Sequence, residues 1–167
     1  DKKKINLGFH TADIRAKHSV THFLKTILTN YNKDKFNINL YLGNKKEDQT
    51  TNEFKEYVNK AINITFMDDI EVINLVRNDK IDILFDLMGL TSNHRLSLYK
   101  NRLAPIQISW CGYLNTTGLK EMDYMIADRN IVPQEEQNLY SEKIIYLDDI
   151  WNCHSGYELK RSKYPIP

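Results

Sequence analysis

The stretch RLAPIQISWCGYLNTTG (residues 102–118) joins a strand-like apolar run to a polar loop. The run from Ile106 to Cys111 predicts a buried strand, and the loop after it is rich in glycine, hydroxyl and amide residues. In open α/β sheets, ligands bind where the carboxyl ends of the strands meet their loops. The sequence therefore predicts a binding site directly after this strand.

The same alternation of patterns extends along the whole chain. Strands are predicted at 5–11, 36–43, 63–68, 81–89, 105–112, 122–128 and 142–147, and helices at 19–31, 52–62, 69–79 and, as a short element, 94–101. Ser19 is available to cap the first helix, and Asp68 or Asp69 the third. Strands that alternate with helices require a mostly parallel sheet covered on both faces. The predicted fold class is α/β, a Rossmann-like three-layer sandwich, and 167 residues fit one domain.

Composition and charge argue against several classes of protein. Hydrophobic residues make up 41% of the chain and charged residues 27%, as in ordinary globular proteins. The formal net charge is +1, so we expect no nucleic acid and no membrane among its partners. No apolar run approaches the roughly 20 residues that span a bilayer. Two cysteines without a CxxC pair, and no signal sequence, indicate a cytoplasmic protein without structural disulfides or zinc.

The six glycines do not form the common phosphate-binding loops. Neither GxGxxG nor GxxxxGK[ST] occurs, which disfavours a dinucleotide-binding domain and a P-loop NTPase. A phosphoacceptor receiver domain shares the alternating architecture. It would need a lysine at the end of its fifth strand, where this chain reads SWCGY (109–113).

The two ends of the chain suggest a part of a longer protein. The first strand begins within a few residues of the start, and the closing SKYPIP (162–167) contains two prolines that favour an extended linker. Basic runs at 2–4 and 159–163 are typical of solvated tails. We therefore expect further protein to follow.

Two histidines stand four residues apart at the start of the predicted first helix. On one helix face, His18 and His22 could offer two imidazoles to a metal, although HSVTH lacks the glutamate of HExxH as a third group. His18 could instead lie at the mouth of the sheet and bond a ligand hydroxyl or phosphate. A loop histidine bonded to the backbone is the structural alternative.

Three aspartates lie just before or within the predicted fourth strand. Asp82 and Asp86 alternate in phase and share one side of the strand, where a carboxylate is costly unless it is paired or near the strand end. Asp86 lies near the carboxyl end, where a functional role fits. Asp79 precedes the strand, and its position is typical of a helix end or a turn.

The loop GYLNTTG (112–118) holds a dense set of uncharged donors. Its tyrosine, asparagine and two threonines suit sugar hydroxyls or a diphosphate better than they suit hydride or acyl transfer. A tight turn into the next strand would explain the glycines but not the run of hydroxyls.

Three segments resemble a known family of sugar transferases. They are DKIDILFDLMGLTSNHRL (79–96), RLAPIQISWCGYLNTTGLKEMDYMIAD (102–128) and YSEKIIYL (140–147). They resemble the amino-terminal catalytic lobe of the O-linked N-acetylglucosamine transferase and SPINDLY family, whose pattern runs D-G-I-D-I-L-V-D-L-x-G-H-T, then R-P-A-P-I-Q-x-x-W-L-G-Y-P-G-T-T-G-x-x-x-M-D-Y, then Y-x-E-K. The opening INLGFHTADIRAKHSVTHFL (5–24) is similar to the family's first strand and histidine-bearing loop.

This resemblance implies one lobe, residues 1–167, of a two-lobed GT-B glycosyltransferase of family 41. Such an enzyme transfers a sugar with inversion, from a UDP- or GDP-sugar of the N-acetylglucosamine or fucose type, to Ser or Thr of an acceptor protein, without a metal or cofactor. The family's carboxyl-terminal lobe and its tetratricopeptide helices are the implied partners within the same protein. No repeat of roughly 34 residues occurs in this chain. We expect the isolated lobe to be inactive.

The resemblance also assigns roles to single residues. His18 matches a histidine that faces donor and acceptor, and Asp79 matches an aspartate proposed to help remove the acceptor proton. Replacing either residue should then slow transfer without loss of stability. The implied substrate-binding residues are Thr91, Tyr113, Asn115, Thr116, Thr117 and Gly118.

Two departures from the family pattern support a second hypothesis. Leu90 replaces the histidine of many bacterial members, and Leu114-Asn115 replaces Pro-Gly. The alternative is a catalytically degenerate Rossmann-like lobe that serves as a binding or interaction module.

Overall fold

The computed structural model describes residues 3–156 of the chain, so SKYPIP and the basic run at 159–163 lie outside the described residues. The strands are β1 (Ile5–Thr11), β2 (Phe36–Leu42), β3 (Lys60–Asn63), β4 (Ile83–Asp86), β5 (Ile106–Ser109), β6 (Tyr124–Ala127) and β7 (Lys143–Tyr146). The α-helices are α1 (Ser19–Asn30), α2 (Gln49–Tyr57) and α3 (Asp69–Asn78), and 3-10 helices span Leu96–Asn101 and Gln134–Leu139.

The strands form a parallel sheet in the order β3-β2-β1-β4-β5-β6-β7. The chain first builds outward from β1 through β2 to β3, and then returns to the other side of β1 with β4. The direction of building reverses between β1 and β4, which makes this gap the topological switch point of the sheet. The parallel sheet confirms the predicted α/β fold class.

Helices cover both faces of the sheet. On one face, Phe9 and Leu40 of the strands pack with Leu24 of α1 and Phe54 of α2. On the other face, the strand residues Tyr41 and Leu84 pack against α3 and the first 3-10 helix, which contribute Val72, Val76, Leu98 and Tyr99. Successive strand residues point to opposite faces, so each strand contributes to both cores. Each large apolar side chain buried in this way contributes about 1.5–3 kcal/mol.

The second helix and the third strand differ from the sequence prediction. α2 begins at Gln49, three residues early, because Asp48 and Thr51 form a reciprocal capping box. Ala61 falls within the predicted helix 52–62, but it belongs to β3 and pairs with Leu40. The predicted strand at 63–68 is therefore wrong. A short apolar run fits either kind of element, and pairing with β2 decides between them.

Caps and strand ends account for the smaller differences. The N-cap of α1 is His18 rather than Ser19, and it makes no side-chain capping bond. Asp68 caps α3, which confirms one of the two predicted caps. β4 and β5 are shorter than predicted because the chain turns sharply after each, with Gly89 at φ 54° and Cys111 at φ 58°. No helix within residues 3–156 is long and apolar enough to cross a membrane.

Candidate functional site

The loops after β1 and β4 meet at the switch point, on the edge of the sheet formed by the carboxyl ends of the strands. We call this the carboxyl edge. The amide of Leu87 donates to the His10 carbonyl at 3.0 Å, and the amide of Ala12 lies 3.1 Å from the sulfur of Met88. The loops after β1 and β4 therefore contact each other at the edge of the sheet where open α/β folds bind their ligands.

The loop after β1, residues 12–18, is fixed by the start of α2. Ile14 is fully buried, and its carbonyl accepts hydrogen bonds from Asn44 Nδ2 at 2.9 Å and Thr51 Oγ1 at 2.8 Å. The Asp48 carboxylate accepts from the amide of Ala16 at 2.8 Å. This bond and the bond from the Thr51 amide lower the pKa of the Asp48 carboxyl. The loop thus reaches α1 in a defined conformation.

His18 is held at the end of this loop beside a carboxylate. Its Nε2 lies 3.5 Å from Asp13 Oδ1, and its side chain is 28% exposed. The Nδ1 atom is buried and has no hydrogen-bond partner among residues 3–156. A buried polar atom in this state costs free energy unless a ligand or a water satisfies it. His18 is therefore oriented by Asp13 and still has an unused hydrogen-bonding position.

His22 contacts the segment that follows β7. The His22 ring stacks on His154 with 4.9 Å between ring centroids, and its Nδ1 lies 3.2 Å from Ser155 Oγ. Among the described residues, no group of three His, Cys, Asp or Glu side chains is placed to hold a metal ion.

A buried polar network lies beneath the loop after β4. Asp86 is 1% exposed and accepts hydrogen bonds from the amides of Gly89 at 2.7 Å and Met88 at 3.3 Å. His10 Nδ1 lies 3.2 Å from Tyr99 Oη and 3.8 Å from Asp86 Oδ1. Burial raises the pKa of Asp86 to about 7 and lowers the pKa of His10 to about 4. The network fixes the turn that leads to Thr91.

Two glycines allow the loops after β4 and β5 to pack closely. A Cβ atom at Gly89 would lie 2.3 Å from Tyr113 Cβ, and one at Gly112 would lie 1.7 Å from the Leu87 carbonyl oxygen. Thr91 follows the first turn and donates from Oγ1 to the Met88 carbonyl at 2.7 Å. The structure thus brings the turn before Thr91 and Tyr113 to the same part of the carboxyl edge.

The threonine hydroxyls of the 112–118 loop are engaged within the protein. Thr116 Oγ1 donates to Glu142 Oε2 at 2.7 Å, and the Thr117 amide donates to Glu142 Oε1 at 2.7 Å. Thr117 Oγ1 also donates to Glu142. Asn115 and Gly118 remain exposed. Sequence reasoning missed Glu142, although the glutamate of the quoted Y-x-E-K motif was the signal that could have found it.

Asp79 lies away from this cluster. It is the C-cap of α3, it pairs with Lys60, and it accepts hydrogen bonds from Tyr41 Oη at 2.8 Å and Asn39 Nδ2 at 3.2 Å. β4 begins only after Asp79 and runs toward the switch point, so Asp79 lies near the amino ends of the strands. His18 lies at the carboxyl edge, and the structure does not bring the two residues together.

Comparisons with known proteins agree on one family. The family described as Glycosyl transferase family 41 matches residues 1–155. The SPINDLY protein of Arabidopsis thaliana, named a probable UDP-N-acetylglucosamine–peptide N-acetylglucosaminyltransferase, is 34% identical over 158 residues, which are 92% of this chain and 17% of that protein. The SPINDLY protein of Oryza sativa subsp. japonica is 37% identical over 142 residues, which are 83% of this chain and 15% of that protein.

A solved structure gives the same answer for the fold. A mutant of the Thermobaculum terrenum O-GlcNAc transferase superposes with a TM-score of 0.85 and is 28% identical in sequence. The match covers 90% of this chain and 29% of that chain. The present chain spans only 15–17% of the length of the SPINDLY proteins it matches.

Proposed function

Because this chain belongs to glycosyltransferase family 41, we propose that it forms the amino-terminal catalytic lobe of a GT-B protein O-glycosyltransferase. Membership of the family confirms the resemblance seen in the sequence. The full-length protein would transfer a sugar from a nucleotide sugar to Ser or Thr of an acceptor protein. The observation that carries the proposal is the placement of His18, oriented by Asp13, at the switch point.

The proposed reaction needs a group that takes a proton. The acceptor hydroxyl oxygen forms a bond to the anomeric carbon on the face opposite the diphosphate, and the bond from that carbon to the diphosphate oxygen breaks. The diphosphate leaves with the electron pair, and the hydroxyl proton passes to a base or relay. His18 is suited to that role because its side chain is partly exposed at the carboxyl edge and its ring is held beside the Asp13 carboxylate.

The two loops beside His18 would contact the donor. Thr91, Tyr113, Asn115 and Gly118 are the residues we assign to the donor sugar, because the turn before Thr91 packs on Tyr113 and the other two are exposed. Thr116 and Thr117 shape the same loop through Glu142. Asp79 lies outside this arrangement, so its catalytic role rests on the resemblance alone, and the contacts of its carboxylate favour a structural role.

The remaining parts of the enzyme are further elements of the proposal. A carboxyl-terminal lobe would close the crevice over the carboxyl edge and stabilise the departing diphosphate. Tetratricopeptide helices would bind the acceptor protein. The SPINDLY relatives are several times longer than this chain, which leaves room in them for both parts. Residues 1–167 would then be a single lobe that is inactive alone.

The experiment is a donor screen on the full-length protein. UDP-N-acetylglucosamine, the donor that the names of the relatives indicate, is compared with GDP-fucose, and the mass of an acceptor protein is the readout. We expect transfer from one of them, and His18→Ala should reduce kcat by about 100-fold. Lys35→Ala, at an exposed side chain in the turn between α1 and β2, is the control. Binding of donor without any transfer would overturn the proposal.

That outcome would favour the binding module instead. Leu90 is 49% exposed on the turn after β4. By the resemblance, it replaces the histidine of many bacterial members. A lobe that had lost this imidazole could keep its affinity for a nucleotide sugar without turning it over. Calorimetric binding of the donor, measured beside transfer, distinguishes the two functions.

A further inference from the structure

Glu142 is a buried carboxylate outside the groups assigned so far to catalysis. It immediately precedes β7 and is 1% exposed. Burying an ionised carboxylate is costly unless hydrogen bonds replace its hydration. Here the hydroxyls of Thr116 and Thr117, the amide of Thr117 and the hydroxyl of Ser141 all donate to it. Its two oxygens therefore serve as a common acceptor for a loop that lies 25 residues earlier in the chain.

The bonds around Glu142 continue into the backbone of the 112–118 loop. Thr116 Oγ1 accepts from the amides of Gly118 and Ser141, each at 3.1 Å, and Thr117 Oγ1 accepts from the amide of Leu119 at 3.3 Å. Each threonine hydroxyl thus bonds both the carboxylate and the main chain. Gly118 adopts φ 71° directly after this cluster. The carboxylate therefore fixes the backbone as well as the side chains.

The other end of the loop is fixed independently. Gly112 packs against the Leu87 carbonyl, and Tyr113 packs against Gly89. Between the two anchors, Leu114 and Asn115 are exposed. The loop is thus fixed at both ends, and its middle residues are exposed beside the carboxyl edge.

We infer that Glu142 is a positioning residue that sets the affinity of the 112–118 loop for the donor sugar. This inference rests on the proposed function. The threonine hydroxyls are occupied by the carboxylate, so they act on the sugar by holding the loop and do not act as direct ligands. A loop that is ordered before binding loses less entropy when the sugar arrives.

The inference predicts a specific kinetic signature. Glu142→Ala should raise KM for the nucleotide sugar by about tenfold and change kcat by less than about threefold, because it weakens binding without touching His18. Glu142→Gln should give an intermediate KM, because the amide keeps one acceptor oxygen for Thr117. Glu136→Ala, at an exposed glutamate of the second 3-10 helix, is the matched control and should leave both constants unchanged.

A double-mutant cycle separates positioning from direct contact. Thr117→Val keeps the shape of the side chain and removes the hydroxyl that donates to Glu142. If Thr117 acts only through Glu142, Thr117→Val will raise KM in the wild-type background and cause no further rise in the Glu142→Ala background, which has no acceptor for its hydroxyl. If Thr117 contacts the sugar directly, the two effects on log KM will add.

The experiment uses the full-length protein with the donor identified by the screen. Additive effects, or wild-type KM values in both Glu142→Gln and Thr117→Val, would overturn the inference. Should Glu142→Ala fail to fold, these two milder variants still decide the question. Absence of transfer by the wild-type protein is a separate result that counts against the proposed function.

Discussion

His18 Nε2 lies 3.5 Å from Asp13 Oδ1, and both residues belong to the loop after β1. This loop is one wall of the switch point, and its backbone is tied to the start of α2 through Ala16 and Asp48. A carboxylate beside an imidazole fixes the ring orientation and favours the tautomer that carries its proton on the facing nitrogen. The Asp13–His18 pair is therefore the part of the candidate site that most clearly indicates acid–base chemistry.

We expect Asp13→Asn to lower kcat by about tenfold, which corresponds to about 1.4 kcal/mol of barrier, because the amide no longer holds the imidazole as the carboxylate does. Steady-state transfer by the full-length protein is the measurement. Arg15→Ala is the control, since the exposed Arg15 Nη2 lies 3.4 Å from the same Asp13 oxygen. An equal loss in the control would show that the loop, and not the carboxylate, is responsible.

Asp86 and His10 should oppose each other in the pH dependence of stability. The folded-state pKa of Asp86 is raised from 3.8 to about 7. Between these pH values the folded protein binds more protons than the unfolded protein, so the contribution of Asp86 to stability falls as the pH rises from about 4 to 7. The folded-state pKa of His10 is lowered from 6.5 to about 4, so its contribution is complete above pH 6.5 and is lost on acidification toward pH 4. The two slopes largely cancel between about pH 4 and 6.5.

Asp86→Asn removes the contribution of Asp86 to the pH dependence of stability. The stability of the variant relative to wild type should rise between about pH 4 and 7, by an amount on the order of 4 kcal/mol. Chemical denaturation at a series of pH values measures this difference, with the exposed Asp149→Asn as the control. A constant difference across the range would show that Asp86 does not titrate in the folded protein as stated.

Asp79→Asn should reduce stability more than activity. The carboxylate pairs with Lys60 and accepts from Tyr41 and Asn39, so an amide would lose the ion pair and part of the hydrogen bonding. We expect the free energy of unfolding to fall by about 1–3 kcal/mol while kcat stays near the wild-type value. Denaturant unfolding and transfer rates test both parts. A slowed reaction at unchanged stability would instead support the catalytic role implied by the family resemblance.

Gly112→Ala should destabilise the fold strongly, and Gly118→Ala only mildly. A methyl group at Gly112 would lie 1.7 Å from the Leu87 carbonyl oxygen, so the loops after β4 and β5 would have to separate. At Gly118 nothing lies within 4 Å, and the cost is the positive φ of 71°, about 1–2 kcal/mol. We expect Gly112→Ala to cost more than about 3 kcal/mol. Similar melting temperatures for the two variants would contradict this account of the loop contact.

The sequence by itself determined the fold class, the order of most elements and the family. Strand and helix periodicities are local, so the patterns at 5–11, 19–31 and 69–79 predict their elements closely. Local patterns failed at β3, where the four residues Lys60–Asn63 become a strand by pairing with β2. The loop 112–118 also predicts a site at the carboxyl edge, and that site stays a prediction.

Only the tertiary structure decided which side chains share that edge. Asp79 and Asp86 are close in the sequence, yet one ends a helix near the amino ends of the strands and the other lies buried at the switch point. Glu142 meets Thr117 across 25 residues, and His10 meets Tyr99 across 89. Such pairs depend on strand order and on close packing between loops. No periodicity within a single segment carries that information.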